Sequence, residues 1–205
     1  MESRLSDAAV QYYSPDSRPY GLTYGQWTVK WWQWLASIPA DTSPAADETG
    51  IHAAENQTDP SVWFLAGTLG GKNVNRKCKI PANMSVLFPV INYEINPLER
   101  PDLKTDVDLV RHVVDDEDDV LNLTCTLDSL AVPVFRITSD PAMFTLNIHQ
   151  NNPFNIAGGV TRATSDGYWV FLKCLSPGEH DLYFAGSCSS GLRNVRATYD
   201  LRVND

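Results

Sequence analysis

The chain has 205 residues, of which 43% are hydrophobic, and its formal net charge at pH 7 is −9. This negative charge argues against nucleic-acid binding, which needs a basic face, and against adhesion to anionic lipid. No apolar run approaches the ~20 residues of a membrane span, so we expect one large, non-spanning domain.

The start of the chain and its cysteines bear on its compartment. No apolar segment of the signal-peptide type lies near Met1. We therefore expect a cytoplasmic protein if Met1 is native, and a secreted or periplasmic protein if a signal peptide has been removed. Cys78, Cys125, Cys174 and Cys188 form no CxxC pair. Free buried thiols and at least one disulfide remain alternatives.

Residues 1–22 are polar and predict an N-terminal arm, followed by a single β-sandwich domain in 23–205. The first segment of that domain predicts a helix ended by Pro39, because proline has no N–H. Thr23 and Gln26 have the spacing of a capping box. The residues on its apolar face are Tyr24, Trp27, Trp31, Trp34, Leu35 and Ile38. Trp32 lies about 100° from the centre of this face and is expected to be exposed.

A long polar connection, 39–60, follows the helix, and loops of this length are often functional. From Ser61 the pattern changes to about nine short strands. The segments that hold them are 61–68, 77–80, 85–95, 121–137, 142–149, 160–173, 179–186 and 194–203. Pro89 cannot donate to a strand ladder, so it predicts an edge or a bulge.

A second helix is predicted near 103–115. Its apolar face would be formed by Leu103, Val107, Val110 and Val114, with Thr105 at the N-cap. The acidic run that follows, Asp115–Asp119, lacks the glycine and the ligand spacing of an EF-hand. We expect a solvated linker there.

Local patterns also predict turns and strand faces. Leu121, Leu123, Cys125 and Leu127 alternate and are expected on one strand face, before a hairpin turn at Asp128-Ser129. Asp166-Gly167 predicts a turn between two strands. A further turn at Ser176-Pro177-Gly178 predicts that 168–173 pairs with 179–186.

Together these patterns predict a mainly β fold. Turn signals recur every 8–12 residues, which is typical of a sandwich or barrel. The helices are not interleaved with the strands as a parallel α/β sheet would require. We expect an antiparallel, jelly-roll-like β-sandwich whose tryptophan-rich helix covers one sheet face or one open end.

Five stretches combine aromatic, glycine and proline residues: WWQWLASIP, VWFLAGTLGG, IPANMSVLFPVIN, SDGYWVFLKCLSPGEHDLYFAGS and ATYDLRV. Together they resemble a recurring set in uncharacterised bacterial β-rich proteins that are often predicted to be exported. The resemblance covers most of the chain from Trp27 onward and implies a single, exported domain, but no activity and no functional residue. Those proteins tend to carry a cysteine after the position of Thr49-Gly50. This chain has His52-Ala53-Ala54 there, which argues against a disulfide at Cys78.

The candidate metal ligands are His52 and Glu55, which have HxxE spacing in the long polar loop. On a helix they would share one face, but a site needs a third ligand from elsewhere. A solvated loop is the alternative. The sequence leaves any cofactor unknown.

The candidate catalytic group is His149, oriented by a carboxylate such as Asp166 or Glu94. A histidine at a strand end suits acid–base chemistry, whereas the amide and aromatic side chains near it suit ligand binding equally well. The candidate ligand-binding residues are Asn92, Asn147, Asn151, Tyr168, Trp169 and Trp32. Asn92 and Glu94 are the polar groups that stand out within an apolar run, although they also fit the end of a strand.

Two functions remain open. The first is a module that binds a small molecule or a glycan. The absence of a GxSxG motif and of a P-loop is consistent with this function. The alternative is a small acid–base enzyme of the lyase, isomerase or hydrolase type, with a His–carboxylate pair in an apolar pocket. The sequence does not give the oligomeric state.

Overall fold

The computed structural model describes residues 9–191 and 193–204, so the first eight residues of the predicted arm lie outside the described residues. Two α-helices, α1 (Tyr24–Ala36) and α2 (Asp106–Glu117), accompany ten strands in the described chain. The strands are β1 (Val62–Phe64), β2 (Asn73–Ile80), β3 (Ser85–Ile95), β4 (Val120–Leu127), β5 (Leu130–Ala131), β6 (Phe135–Arg136), β7 (Phe144–Ile148), β8 (Gly159–Leu172), β9 (Gly178–Cys188) and β10 (Asn194–Val203). β3 and β10 have the predicted bounds.

The strands form two five-stranded sheets. Sheet one has the order β1-β3-β8-β6, with β7 also paired to β8, and sheet two has the order β2-β10-β9-β4-β5. Most neighbours are antiparallel, whereas β1 with β3 and β2 with β10 are parallel. The predicted mainly β sandwich with two helices is confirmed, and its jelly-roll-like character stays a prediction.

Strand alternation gives sheet one two apolar faces. Phe88 of β3 points into the sandwich and stacks on Phe184 of β9, with ring centroids 4.9 Å apart. The neighbouring Leu87 belongs instead to the core on the outer face of the sheet, and so does Trp169 of β8. Sheet one therefore needs a second cover.

α1 provides that cover, as the sequence predicts. All six residues of the predicted apolar face are buried, and the Thr23–Gln26 capping box is present. Trp31 packs edge-on against Trp169, with ring centroids 5.3 Å apart. In the described part of the arm, Tyr13 packs on Phe171 of the same sheet.

The prediction that the Trp32 ring is exposed is wrong, because this side chain is only 7% exposed. Phe154, in the loop between β7 and β8, lies 6.4 Å from Trp32 between ring centroids. A loop distant in sequence thus encloses the flank of α1, which helical spacing alone does not reveal.

The predicted turn at Asp166-Gly167 is wrong, because β8 runs through both residues without a break. A Cβ on Gly167 would lie 2.5 Å from Cβ and 2.7 Å from Cα of Asn92 on the paired strand. Glycine is therefore needed here for the close approach of two strands. Asp166 accepts a hydrogen bond from the Gly167 N–H and pairs with Arg136.

The predicted pairing of 168–173 with 179–186 is also wrong. β8 belongs to sheet one and β9 to sheet two, so the turn at Ser176-Pro177-Gly178 carries the chain between the sheets. The predicted hairpin at Asp128-Ser129 holds only for β4 and β5. After Pro133 the chain crosses to sheet one, where β6 pairs with β8.

α2 has its predicted cap at Thr105, but its buried face is not the predicted one. Val107 is 72% exposed, and the buried residues are Leu109, Val113 and Glu117. Leu109 and Val113 pack with Ile95 of β3. The buried face of α2 thus includes a glutamate, Glu117. A search for apolar spacing alone therefore predicts the wrong face of this helix.

Leu121 is 66% exposed instead of inward-facing. The pairing of β4 with β9 shifts between Val120 and Asn122, which leaves Leu121 as the extra residue of a bulge. Cys125 and Leu127, beyond the bulge, point inward as predicted.

The fold resolves the open alternative about the cysteines. All four cysteines are free thiols, with Cys174 exposed and the other three buried. No helix in residues 9–191 and 193–204 has the length and apolar character of a membrane span.

Gly167→Ala tests the close approach of β3 and β8. We expect a loss of about 1–3 kcal/mol in the free energy of unfolding, because the added methyl meets the backbone of Asn92. Gly67→Ala is the control, since its methyl would lie 3.0 Å from the end of the Val195 side chain and 3.9 Å from its next neighbours, Phe184 and the Pro89 carbonyl. Urea unfolding of both variants measures the difference, and equal, small losses would contradict the observed packing.

Candidate functional site

A cavity of about 210 Å³ lies beside α1, where the pairing of β1 with β3 has ended. β1 pairs only with the first three residues of β3, Ser85 to Leu87, whereas β3 continues to Ile95. α1, β3, the loop after β1, the loop after β7 and the start of β10 all contribute to the walls. The cavity is therefore built from elements far apart in sequence.

A bulge in β3 directs polar side chains toward this cavity. The pairing of β3 with β8 shifts between Pro89 and Ile91, which confirms the prediction that Pro89 marks an irregularity. Beyond the bulge, Asn92 and Glu94 line the cavity. These are the two polar residues that stand out within the apolar sequence of β3.

Two N–H donors in the cavity wall have no acceptor. Trp32 Nε1 and Asn92 Nδ2 are both buried and have no hydrogen-bond partner among the described residues. By contrast, the adjacent Trp31 donates its Nε1–H to the carbonyl of Leu65 at 2.8 Å. A buried donor without a partner costs about 1–3 kcal/mol. An acceptor atom on a bound molecule would remove this cost.

Glu94 places a buried carboxyl group in the same wall. It is 7% exposed, and its side-chain partner is the amide of Asn96, at 3.1 Å from one oxygen and 3.4 Å from the other. Burial raises the pKa of Glu94 to about 8; the hydrogen bond from Asn96 opposes this rise, and the charge of Glu99 adds to it. At pH 7 most of this carboxyl group is therefore neutral.

A second carboxyl group, Glu99, also lines the cavity. Burial raises the pKa of Glu99 above its usual value, although Arg100 and a hydrogen bond with Tyr93 oppose the rise. Burial, and then the charge of Glu99, raise the pKa of Tyr93 to about 12. The polar side of the cavity thus carries two carboxyl groups whose pKa values burial raises.

Arg193 is the basic side chain in the cavity wall, and α2 engages it. Its guanidinium pairs with Glu117 and, at 2.7 Å, with Asp116, and it lies over the ring of Tyr93. Burial raises the pKa of Glu117 to about 7 although the charge of Arg193 opposes this. Arg193 therefore forms its ion pairs with carboxylates of α2 and not with Glu94.

The acidic run is not the solvated linker that the sequence predicts. Besides the pairs with Arg193, Asp118 pairs with Arg136. Asp119 accepts hydrogen bonds from the Ser189 hydroxyl and from the backbone N–H of Ser190. These carboxylates fasten the end of α2 to both sheets.

Of the three predicted catalytic residues, Glu94 alone lines the cavity. His149 is exposed at the end of β7, where its Nδ1 accepts a hydrogen bond from the backbone N–H of Asn151 at 3.0 Å. Asp166 is buried and held by Arg136. The described residues contain no hydrogen bond or ion pair between His149 and Asp166 or Glu94, so the predicted acid–base pair is not assembled here.

The predicted ligand-binding residues are also divided. Trp32 and Asn92 line the cavity. Trp169 is fully buried under α1, and Tyr168 lies beneath the guanidinium of Arg136. The other two, Asn147 and Asn151, are exposed, and the Asn151 side chain donates to Asp41.

The predicted metal ligands His52 and Glu55 lie in one turn, where the Glu55 N–H donates to the His52 carbonyl. Across the described ranges, no group of three histidine, cysteine, aspartate or glutamate side chains is placed to hold a metal ion. The metal site therefore lacks its third ligand and stays a prediction.

Arg76 shapes the cavity from behind and is not among the residues that the sequence predicts to be functional. It is fully buried on β2. Its guanidinium donates to the carbonyls of Asp47, Ala66, Gly67 and Ala45 and to the hydroxyl of Tyr199, at 2.7 to 3.3 Å. Ala45 and Gly67 are themselves part of the cavity wall. The signal was present, because Arg76 occupies an inward position in the alternation of β2.

Arg76→Lys tests this role. A lysine ammonium cannot reach acceptors spread around a planar guanidinium, so buried carbonyls lose their donors. We expect a loss of at least about 2 kcal/mol in the free energy of unfolding. Arg196→Lys, the same change on the exposed face of β10, is expected to cost less than about 0.5 kcal/mol. Similar losses in urea unfolding of the two variants would contradict a clamping role for Arg76.

Glu94→Gln tests the neutral carboxyl group. The folded chain holds this proton up to about pH 8, whereas the unfolded chain releases it near ~4.3. Folding therefore takes up a proton between these values, and the free energy of unfolding of the native chain falls as pH rises from about 5 to 8.

The variant lacks this proton, so its stability relative to the native chain should rise by several kcal/mol over that range, at ~1.4 kcal/mol per pKa unit. Urea unfolding of both proteins at pH 5 and pH 8 measures the change. The contribution of Glu117 is common to both proteins and cancels. Parallel pH profiles would show that Glu94 is ionised in the folded chain.

Comparisons with known proteins add no functional assignment to this geometry. No protein-family model, no curated protein and no solved structure matches the chain. The resemblance to exported bacterial proteins therefore stays a prediction. The cavity and the chemistry of its walls are the basis on which a function is proposed.

Proposed function

We propose that the protein binds a small organic molecule in the cavity between α1, β3 and the loops after β1 and β7. The observation that carries the proposal is the pair of buried donors without acceptors, Trp32 Nε1 and Asn92 Nδ2, on two side chains of the cavity wall. An acceptor on a ligand would satisfy both donors while its apolar part contacts the aromatic wall.

The size of the cavity favours a small molecule over a glycan chain. Its volume of about 210 Å³ is below the ~300–1,000 Å³ of pockets for drug-sized ligands. All six tryptophans lie in the described part of the chain, and none is more than 7% exposed. The exposed row of rings that a polysaccharide would stack on is therefore not formed by these residues.

Acid–base catalysis at the same cavity is the second candidate. The raised pKa of Glu94, about 8 because of burial, keeps a proton on its carboxyl group at neutral pH. That is the property of a general acid. Glu94 would act without His149, which lies outside the cavity.

Ligand-observed NMR with a library of small, soluble fragments tests binding. We expect fragments with an apolar body and an acceptor oxygen to bind the native chain, and Trp32→Phe to weaken them about tenfold through loss of one hydrogen bond. Trp63→Phe is the matched control, because Trp63 lies in the core between the sheets and should leave binding unchanged. Absence of any binding fragment, or equal weakening by both variants, would contradict the proposal.

The same samples distinguish binding from catalysis. If Glu94 is a general acid, spectra of a bound fragment recorded over a day will show conversion by the native chain and none by Glu94→Gln. Bound fragments that stay unchanged with the native chain would contradict the catalytic candidate and leave the binding function intact.

A further inference from the structure

We propose that the ligand of this cavity is a small organic cation that also carries an acceptor oxygen, of the amino-alcohol or betaine class. Its cationic group would lie between the aromatic wall and the carboxyl groups of Glu94 and Glu99. This inference rests on the proposed function and specifies the chemistry of the molecule that is bound.

The aromatic wall suits a cation. Trp31 and Trp32 line the cavity with their rings 88° apart and their centroids separated by 5.0 Å. Phe154 continues the wall, inclined at 50° to Trp32. The wall therefore consists of three aromatic side chains whose rings are not parallel. Each ring face attracts a desolvated cation by about 0.5–2 kcal/mol.

Glu94 has no ion-pair partner in the described chain. Asp166 and Glu117, the other fully buried acids, each pair with an arginine, whereas the only side-chain partner of Glu94 in the described chain is the neutral amide of Asn96. Arg193 lines the cavity, but its charge is engaged by α2. A bound cation would give Glu94 the partner that the other buried acids already have.

The two unpartnered donors specify a second group on the ligand. Trp32 Nε1 and Asn92 Nδ2 require an acceptor, which a hydroxyl or carboxylate oxygen supplies. A simple anion would meet these donors but would also face Glu94 and Glu99. A neutral ligand would meet them and leave Glu94 without a charge partner. A cation with an oxygen atom meets both requirements.

Binding of such a cation should release a proton. The titratable or charged groups that line the cavity are Tyr93, Glu94, Glu99 and Arg193, and α1 contributes none. Glu94 is mostly protonated at pH 7 because burial raises its pKa to about 8. A nearby positive charge favours its ionised form. With a quaternary ammonium ligand, the released proton comes from the protein.

Isothermal titration calorimetry with choline and glycine betaine tests the inference. The matched neutral ligand is 3,3-dimethylbutan-1-ol, which has the shape of choline without its charge. At pH 7 we expect choline or betaine to bind at least about tenfold more tightly than the alcohol. Titrations in phosphate and in Tris should give binding enthalpies that differ by the release of roughly 0.5–1 proton.

Two variants locate the effect. Glu94→Gln should abolish the proton release and weaken choline about tenfold, since the charge partner is lost. Glu179→Gln, an exposed glutamate on sheet two, should behave as the native chain. Equal effects of the two variants would overturn the assignment to Glu94.

The results separate this inference from the function on which it rests. Tighter binding of the cations with proton release supports both. Equal binding of choline and its neutral isostere, without proton release, overturns the cation assignment and leaves small-molecule binding standing. If neither these ligands nor any library fragment binds the native chain, both proposals fail.

Discussion

The structure depends on the packing of the α1 indole rings against the outer face of sheet one. Strand alternation leaves that face apolar, and Trp169 and Phe171 of β8 would be exposed without a cover. Trp31 and Trp27 meet these rings edge-on, at centroid distances of 5.3 and 5.8 Å. Each such contact adds about 0.5–1.5 kcal/mol to the burial of apolar area.

The candidate site is a consequence of this cover. α1 lies over sheet one, and a cavity is left beside the part of β3 that β1 does not pair with. The bulge after Pro89 directs Asn92 and Glu94 into that space. The burial of Glu94 without a basic partner has a cost in stability that packing does not explain. Such a cost is typical of a functional site.

The sequence predicts elements whose pattern is local. The face and cap of α1, the bounds of β3 and the alternation of β10 follow from residues within each segment. Asn92 and Glu94 were found because polar residues within an apolar strand stand out. Trp32 was selected as a ligand-binding residue on the assumption that it is exposed, which is wrong, although it does line the cavity.

The failures involve partners that are distant in sequence. The pair Asp166-Gly167 is typical of a turn, but the glycine is needed because Asn92 of β3 approaches it closely. The buried face of α2 depends on Arg193, a residue of the loop between β9 and β10. His149 has suitable chemistry, but in the described chain it forms no hydrogen bond or ion pair with Asp166 or Glu94, because strand direction and loop placement decide which side chains meet. No local pattern contains this information.

The central claim is that α1 and β3 enclose a carboxyl group at Glu94 that has no charge partner. The most direct measurement is the pH titration of the Glu94 side-chain ¹³C carboxyl resonance in the folded protein, assigned by its loss in Glu94→Gln. Burial predicts a midpoint near the raised pKa of about 8. A midpoint near the ordinary glutamate value of about 4.3 would contradict the enclosure of this carboxyl group and the site built on it.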